Sequence, residues 1–330
     1  APKDLEARQI LAAMYIRDGD ADAATVQLES VLNAETEGPN RQLRIITNLL
    51  RKEEDKLTAL NVMERLMSRR ESDADVLVAY ALLAIRTEEV ERATTAMERL
   101  TEFNAGNSNI ALAYVSLLQK FDKSASAFNW LEKAIAKQSD DTGLRLIYAR
   151  LLADSNRYDE ARLQFSIIAT QTPSNSDVVY SLGLLNLQAN RIDAASENFS
   201  RLLELGVHGN DANFYLAQIA DSREQVNSAL ELYRKITSGA NYFQAQVRIA
   251  LLLSLQNNVV DAQAQLQSVV PKDDAQRFQI ARAEGEILTQ HDRLDEAMAV
   301  YDAALVDAYD MELLYARAML AEKMDLLDVL

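Results

Sequence analysis

The stretch Tyr158-Asp-Glu-Ala-Arg-Leu-Gln-Phe165 decides the fold, because the chain keeps returning to it. Ile192-Asp-Ala-Ala-Ser-Glu-Asn-Phe199 lies 34 residues further on, and Leu294-Asp-Glu-Ala-Met-Ala-Val-Tyr301 has the same form. Its alanine is found at Ala59, Ala93, Ala127, Ala161, Ala195 and Ala229, each 34 residues from the last, with Ala24, Ala262 and Ala297 on either side. Self-similarity at a fixed period of about 20–50 residues marks a repeat architecture rather than a set of globular domains.

Two further positions keep phase with the alanine. Twelve residues before it the chain is usually small: Ala12, Thr47, Ala81, Val115, Ala149, Gly183, Ala217, Ala250 and Gly285. Four residues after it comes a large apolar side chain: Leu28, Met63, Met97, Leu131, Phe165, Phe199, Tyr233, Leu266 and Tyr301. Antiparallel helices approach closely only where facing side chains are small, and a bulky residue one turn on fills the gap beside them. The expected unit is a helix, a tight turn and a second helix.

Composition agrees. The 330 residues include only 9 Gly and 4 Pro, with no Cys, 48% hydrophobic and 6% aromatic residues. That is the usage of helices joined by short turns. The absence of Cys excludes disulfides, thiolate nucleophiles, zinc fingers and iron–sulfur sites. With 50 Asp+Glu against 34 Lys+Arg the net charge is −16. Nucleic acid is therefore not the expected partner, since phosphate binding rests on clustered basic residues. No apolar run reaches the roughly 18 residues of a membrane helix. No membrane insertion by this chain and no cofactor are expected.

The pattern resembles the tetratricopeptide repeat. The best copy is Asn175-Ser-Asp-Val-Val-Tyr-Ser-Leu-Gly183 followed by Ala195 and Phe199, and Pro173 matches the proline that ends the preceding repeat. The family's early Trp is absent throughout, and Ala mostly replaces its Gly. The resemblance implies an all-α fold, a right-handed α-solenoid forming one superhelix over residues 1–330. Repeats are expected to start near residues 5, 40, 74, 108, 142, 176, 210, 243 and 278, with a partial one from 311. That partial repeat has no polar capping face, so a piece of a longer array is expected.

Catalytic and metal chemistry have little to rest on. His208 and His291, the two histidines, fall in expected loops outside any recognisable motif. Asp18-Gly-Asp-Ala-Asp22 with Glu29 imitates a calcium loop, but Ala23 stands where the sharp turn needs Gly. The repeat register makes the same residues an inter-helix turn with a capping Asp. Asp22, Asp159, Asp193 and Asp295 each fall in the first turn of a second helix, where a carboxylate meets the positive end of the helix dipole. Trp130 is read as core. No enzyme is expected.

Binding surfaces are the more informative candidates. In the family the inner groove is built from positions 2, 5, 9 and 12 of each first helix. Here the resemblance implies a groove of Val78, Leu82, Ile85, Leu112, Leu146, Tyr180, Leu184, Leu187, Phe214, Val247 and Leu251. A contiguous apolar surface of that size fits a protein partner. Arg41, Arg44 and Arg51, spaced along one helix face, are a possible basic contact for a carboxylate or acidic partner. Arg44 and Asn48 match part of the family's carboxylate clamp, whereas Ala79, Asn109 and Ala113 depart from it. Acidity is concentrated at one end, with 6 Lys+Arg against 15 Asp+Glu in residues 261–330, which would steer a basic partner.

The Ala-rich, acidic, cysteine-free array through Asn186-Leu-Gln-Ala-Asn-Arg-Ile-Asp-Ala-Ala195 resembles the tetratricopeptide outer-membrane lipoproteins of Gram-negative bacteria. Within them it is similar to the adaptors of periplasmic carboxyl-terminal processing proteases. That likeness implies a non-enzymatic scaffold that joins a protease to cell-wall hydrolase substrates and promotes proteolysis. It also implies a periplasmic location, with a lipid anchor upstream of Ala1. The alternatives are a scaffold for exopolysaccharide export, pilus or secretion assembly, and a regulatory segment of a larger enzyme; the alternative location is the cytoplasm.

Overall fold

The 34-residue period becomes an alternation of helix and tight turn. The computed structural model describes residues 2–34, 56–70, 73–103, 107–306 and 308–325, and among these it forms eighteen α-helices and no strand. The chain divides into two units, Ala1–Gln164 and Phe165–Leu330.

The first unit holds α1 (Pro2–Arg17), α2 (Ala21–Ala34), α3 (Lys56–Arg69), α4 (Ala74–Arg86), α5 (Val90–Phe103), α6 (Ser108–Lys120), α7 (Ser124–Lys137) and α8 (Thr142–Asp154). Each helix packs on its sequence neighbour, and α6 also touches α8. After α9 (Tyr158–Gln171), the second unit continues with α10 (Ser176–Gln188), α11 (Ile192–Glu204), α12 (Gly209–Ser222) and α13 (Val226–Arg234). It ends with α14 (Tyr242–Leu255), α15 (Val259–Gln267), α16 (Asp274–Gln290), α17 (Leu294–Ala304) and α18 (Met311–Lys323). There the first helices α14, α16 and α18 touch one another in turn.

Helix starts are set by side chains that repeat with the same period. Asp73, Asn107, Asp141 and Asn175 stand 34 residues apart, and each accepts a hydrogen bond from a main-chain N–H in the first turn of the helix it opens. Such caps satisfy donors the helix itself leaves unpaired. The turns inside the pairs are equally regular. Glu88, Asp122, Asn156, Asn190, Glu224, Asn257 and Asp292 all adopt left-handed backbone, with φ between 54 and 62°. Asn and Asp tolerate that region because their short polar side chains bond locally. In the turn between α1 and α2 the residue is Gly19, and Asp20 caps α2 by accepting from the Ala23 N–H at 3.0 Å. The calcium-like spacing is thus spent on a turn and a cap.

The repeating alanines form the inner seam of the pairs. Ala24, Ala93, Ala127, Ala161, Ala195, Ala229, Ala262 and Ala297 are wholly buried. In the second unit Ala195, Phe199 and Leu202 pack with Val179, Ala212 and Ile219, and Tyr180 and Leu184 lean on that cluster. Burying a Leu or Phe side chain contributes about 1.5–3 kcal/mol, so local pairing accounts for much of the stability of such an array. Trp130 is half-buried, its ring edge-on to Tyr114 at 5.1 Å.

Candidate functional site

One concavity lies wholly in the second unit. Helices α12, α14, α16 and α18 are the first helices of successive pairs, and their inner faces enclose a groove of about 1330 Å3. That exceeds the ~300–1,000 Å3 of small-molecule sites. The groove is suited to a segment of a macromolecule.

Its floor is apolar and its walls are polar. Val247 and Leu251 of α14 line it with Ala283 of α16 and Met319 and Leu320 of α18. Tyr233 and Tyr301 reach it from the second helices but are almost wholly buried, and burial pushes the Tyr233 hydroxyl up to about 12. The walls carry charges that are already engaged. Arg248 grips Asp221 of the neighbouring pair with two N–H donors, one of them at 2.9 Å, and this bonding raises the pKa of its guanidinium. Arg282 is paired with Glu312 of α18. Gln290 donates to Glu286 at 3.0 Å, and the Lys323 ammonium reaches the carbonyl of Thr289 at 3.5 Å. Gln218, Gln244 and Gln279 also line the groove, and among the described residues their side-chain amides have no hydrogen-bond partner.

A smaller concavity of about 600 Å3 lies in the first unit, between the C-terminal ends of α4 and α6. Leu82, Ile85, Val90 and Phe121 form it, with Arg86, Glu88 and Lys120 at its rim.

The expected groove residues separate accordingly. Val247 and Leu251 line the large groove and Leu82 and Ile85 the small one. Leu82 and Leu112 are 49% and 46% exposed, whereas Val78, Ile85, Leu146, Tyr180, Leu184 and Leu187 are half-buried. Tyr180, Leu184 and Leu187 pack against the core of their own pair and line neither concavity. Phe214 requires a correction: it is 4% exposed and belongs to the core, with its ring edge-on to Tyr233 at 6.0 Å. A large ring at that position fills the space between α12 and α13 instead of facing the groove. Arg41, Arg44 and Arg51 lie outside the described residues. Of the other clamp positions, Ala79 is buried, and Asn109 and Ala113 are exposed.

His208 opens α12 in left-handed backbone and stacks on Tyr180 at 5.2 Å, and His291 shares a 3.0 Å hydrogen bond with the buried Ser254. Among the described residues no cluster of His, Asp and Glu could hold a metal ion. No described helix is long and apolar enough to cross a membrane.

Residues 180–242 match the tetratricopeptide-repeat family model. A TPR repeat-containing protein of Pseudomonas aeruginosa is 28% identical over 113 residues, which is 34% of this chain and 19% of that protein. The chain thus matches about a fifth of the length of that curated relative. Among solved structures, the C-terminal part of a TPR repeat-containing protein from Cytophaga hutchinsonii is 14% identical with a TM-score of 0.52, over 72% of this chain and 98% of that one. PilF of Pseudomonas aeruginosa is 19% identical with a TM-score of 0.44, over 68% of this chain and 99% of that one. The fold is an all-α stack of tetratricopeptide helix pairs, and such stacks act as protein-interaction scaffolds.

The polar half of the groove has its own signal in the register. Gln218 stands at position 9 of its first helix, and Gln244 and Gln279 at position 2 of theirs. Positions 5 and 9 of the pair beginning at residue 278 are Arg282 and Glu286. All five line the groove. The pairing of Arg248 with Asp221, 27 residues away, has no sequence signal beyond opposite charge.

Proposed function

We propose that this chain is a non-enzymatic adaptor, and that the groove of the second unit holds a segment of one protein partner. The observation that carries this reading is the groove itself, which is open, larger than a small-molecule site, and built from four successive first helices. The smaller apolar hollow beside Leu82 gives the first unit a surface of different chemistry, as an adaptor with two partners needs. On the likeness of Asn186–Ala195 to the lipoprotein adaptors, the partners are a periplasmic carboxyl-terminal processing protease and its cell-wall hydrolase substrates. The full-length protein would then be held at the outer membrane.

The test is co-elution in size-exclusion chromatography of the purified chain with such a protease and such a hydrolase, singly and together. A three-component peak is expected. Met319→Arg, at a half-exposed position lining the groove, should remove one component and leave the other bound. Failure of both proteins to bind sinks the protease reading. Retention of both by the variant places the contacts elsewhere.

A further inference from the structure

We propose that Met319 is an oxidation site in the groove of the second unit, and that its conversion to the sulfoxide by a peroxide weakens partner binding there. This rests on the groove being the partner site and names a regulation of it.

The chain has no Cys, so its readily oxidised sulfur is confined to eight Met thioethers. Their surroundings divide them. Met63, Met67, Met97 and Met298 are buried, and Met324 is half-buried against the core shared by α16, α17 and α18. Met14, Met311 and Met319 are 45%, 66% and 49% exposed. Susceptibility follows exposure, so these three are the ones a soluble oxidant reaches.

Two of the three share one face of α18. Met311, Tyr315 and Met319 follow at four-residue spacing, which sets them one above another along the helix, and all three are exposed. The Tyr309 hydroxyl donates to the Met311 sulfur at 2.7 Å, whereas among the described residues no hydrogen bond engages the Met319 sulfur. Of the three, Met319 lines the groove, together with Val247, Leu251 and Leu320. Its thioether is therefore open to a small oxidant and is also part of the apolar floor that a partner would cover.

Hydrogen peroxide supplies the oxygen. A sulfur lone pair attacks one peroxide oxygen, the O–O bond breaks, and the other oxygen leaves as water after proton transfer. Sulfur is oxidised by two electrons and the peroxide is reduced by two. The product is a polar sulfoxide where the groove had apolar surface. Covering that oxygen without a donor is costly, and the aliphatic side chains of Val247, Leu251 and Leu320 offer none. Reduction by a methionine sulfoxide reductase would restore the thioether.

The test treats the purified full chain with graded hydrogen peroxide and maps the products by peptide mass spectrometry. Met14, Met311 and Met319 should gain oxygen before the four buried methionines do. Affinity for the neutral apolar dye Nile red, read by fluorescence titration, reports the groove floor without an identified partner. It should fall about tenfold on oxidation, as for the loss of one apolar side-chain contact, and recover with the reductase. Met319→Leu, compared with itself before and after peroxide, should change less than about twofold, because it has no sulfur there to oxidise. Met14→Leu should respond as the unsubstituted chain does.

Late oxidation of Met319 overturns the proposal, as does unchanged dye affinity in the oxidised chain or an equal loss in Met319→Leu. The two readings fail differently. If Met319→Arg releases a partner protein and peroxide does not, the groove remains the site and the regulation is wrong. If the dye responds but the protease and hydrolase stay bound through both peroxide and Met319→Arg, the partner-site reading falls and takes the regulation with it.

Discussion

Gly183 and Phe199 meet across the α10–α11 pair so closely that a Cβ on Gly183 would stand 2.8 Å from the ring. Gly285 meets Tyr301 in the same way between α16 and α17. Both contacts join the small position twelve residues before the repeating alanine to the large position four residues after it. Gly183→Ala should therefore destabilise the chain by about 1–3 kcal/mol, the usual cost of overpacking. Urea unfolding followed by circular dichroism would measure it. The combination with Phe199→Leu, which removes the ring edge, should recover part of the loss, and no recovery would show that the ring is not the obstacle.

Asp141 accepts from the Leu144 N–H at 3.0 Å and opens α8. Asp141→Ala should cost about 0.5–2 kcal/mol, whereas Asp141→Asn, which keeps the acceptor, should cost much less. Equal losses for both would mean that charge, not capping, is what matters there.

The Arg248–Asp221 pair bridges two helix pairs, with the Arg side chain 43% exposed and the Asp side chain 13%. A double-mutant cycle of Arg248→Ala and Asp221→Ala should give a coupling energy of about 1 kcal/mol, with solvent screening already discounted. A coupling near zero would show that the pair does not tie the two repeats together.

Leu82 is 49% exposed and Phe214 is 4% exposed, although both stand at expected groove positions. Leu82→Asp should leave helicity intact and shift stability by no more than about 0.5 kcal/mol. Phe214→Glu should unfold the helices around it, because an unpaired carboxylate cannot be buried among apolar side chains. Circular dichroism separates the two outcomes, and a folded Phe214→Glu variant would contradict the core assignment.

Burial pushes the hydroxyls of Tyr80, Tyr114, Tyr148 and Tyr233 each up to about 12. An acid whose pKa rises on folding holds its proton longer in the folded chain than in the unfolded one. The associated stability is full below pH ~10 and is lost as pH rises toward 12. Tyrosinate absorbance and helicity should therefore change together across that window. Ionisation of all twelve tyrosines near pH 10 with helicity unchanged would contradict the burial.

The sequence by itself determined the 34-residue unit, the helix pairs and the close approach of Gly183 to Phe199. Each depends on residues within one repeat, so a linear pattern carries it. The caps at Asp73, Asn107, Asp141 and Asn175 and the left-handed turn residues were equally legible in principle, since they keep the same period. Only the tertiary structure decided which groove positions stay open. A register assigns a residue to a face, but exposure depends on the side chains of the next helix: Phe214 turns into the core, while Gln218, one turn further along α12, lines the groove. It also decided the character of that groove, because the pairing of Arg248 with Asp221 and of Arg282 with Glu312 joins helices from successive repeats. Those pairings compensate Arg248 and Arg282, while Glu286 and Lys323 on the same groove bond to neutral groups.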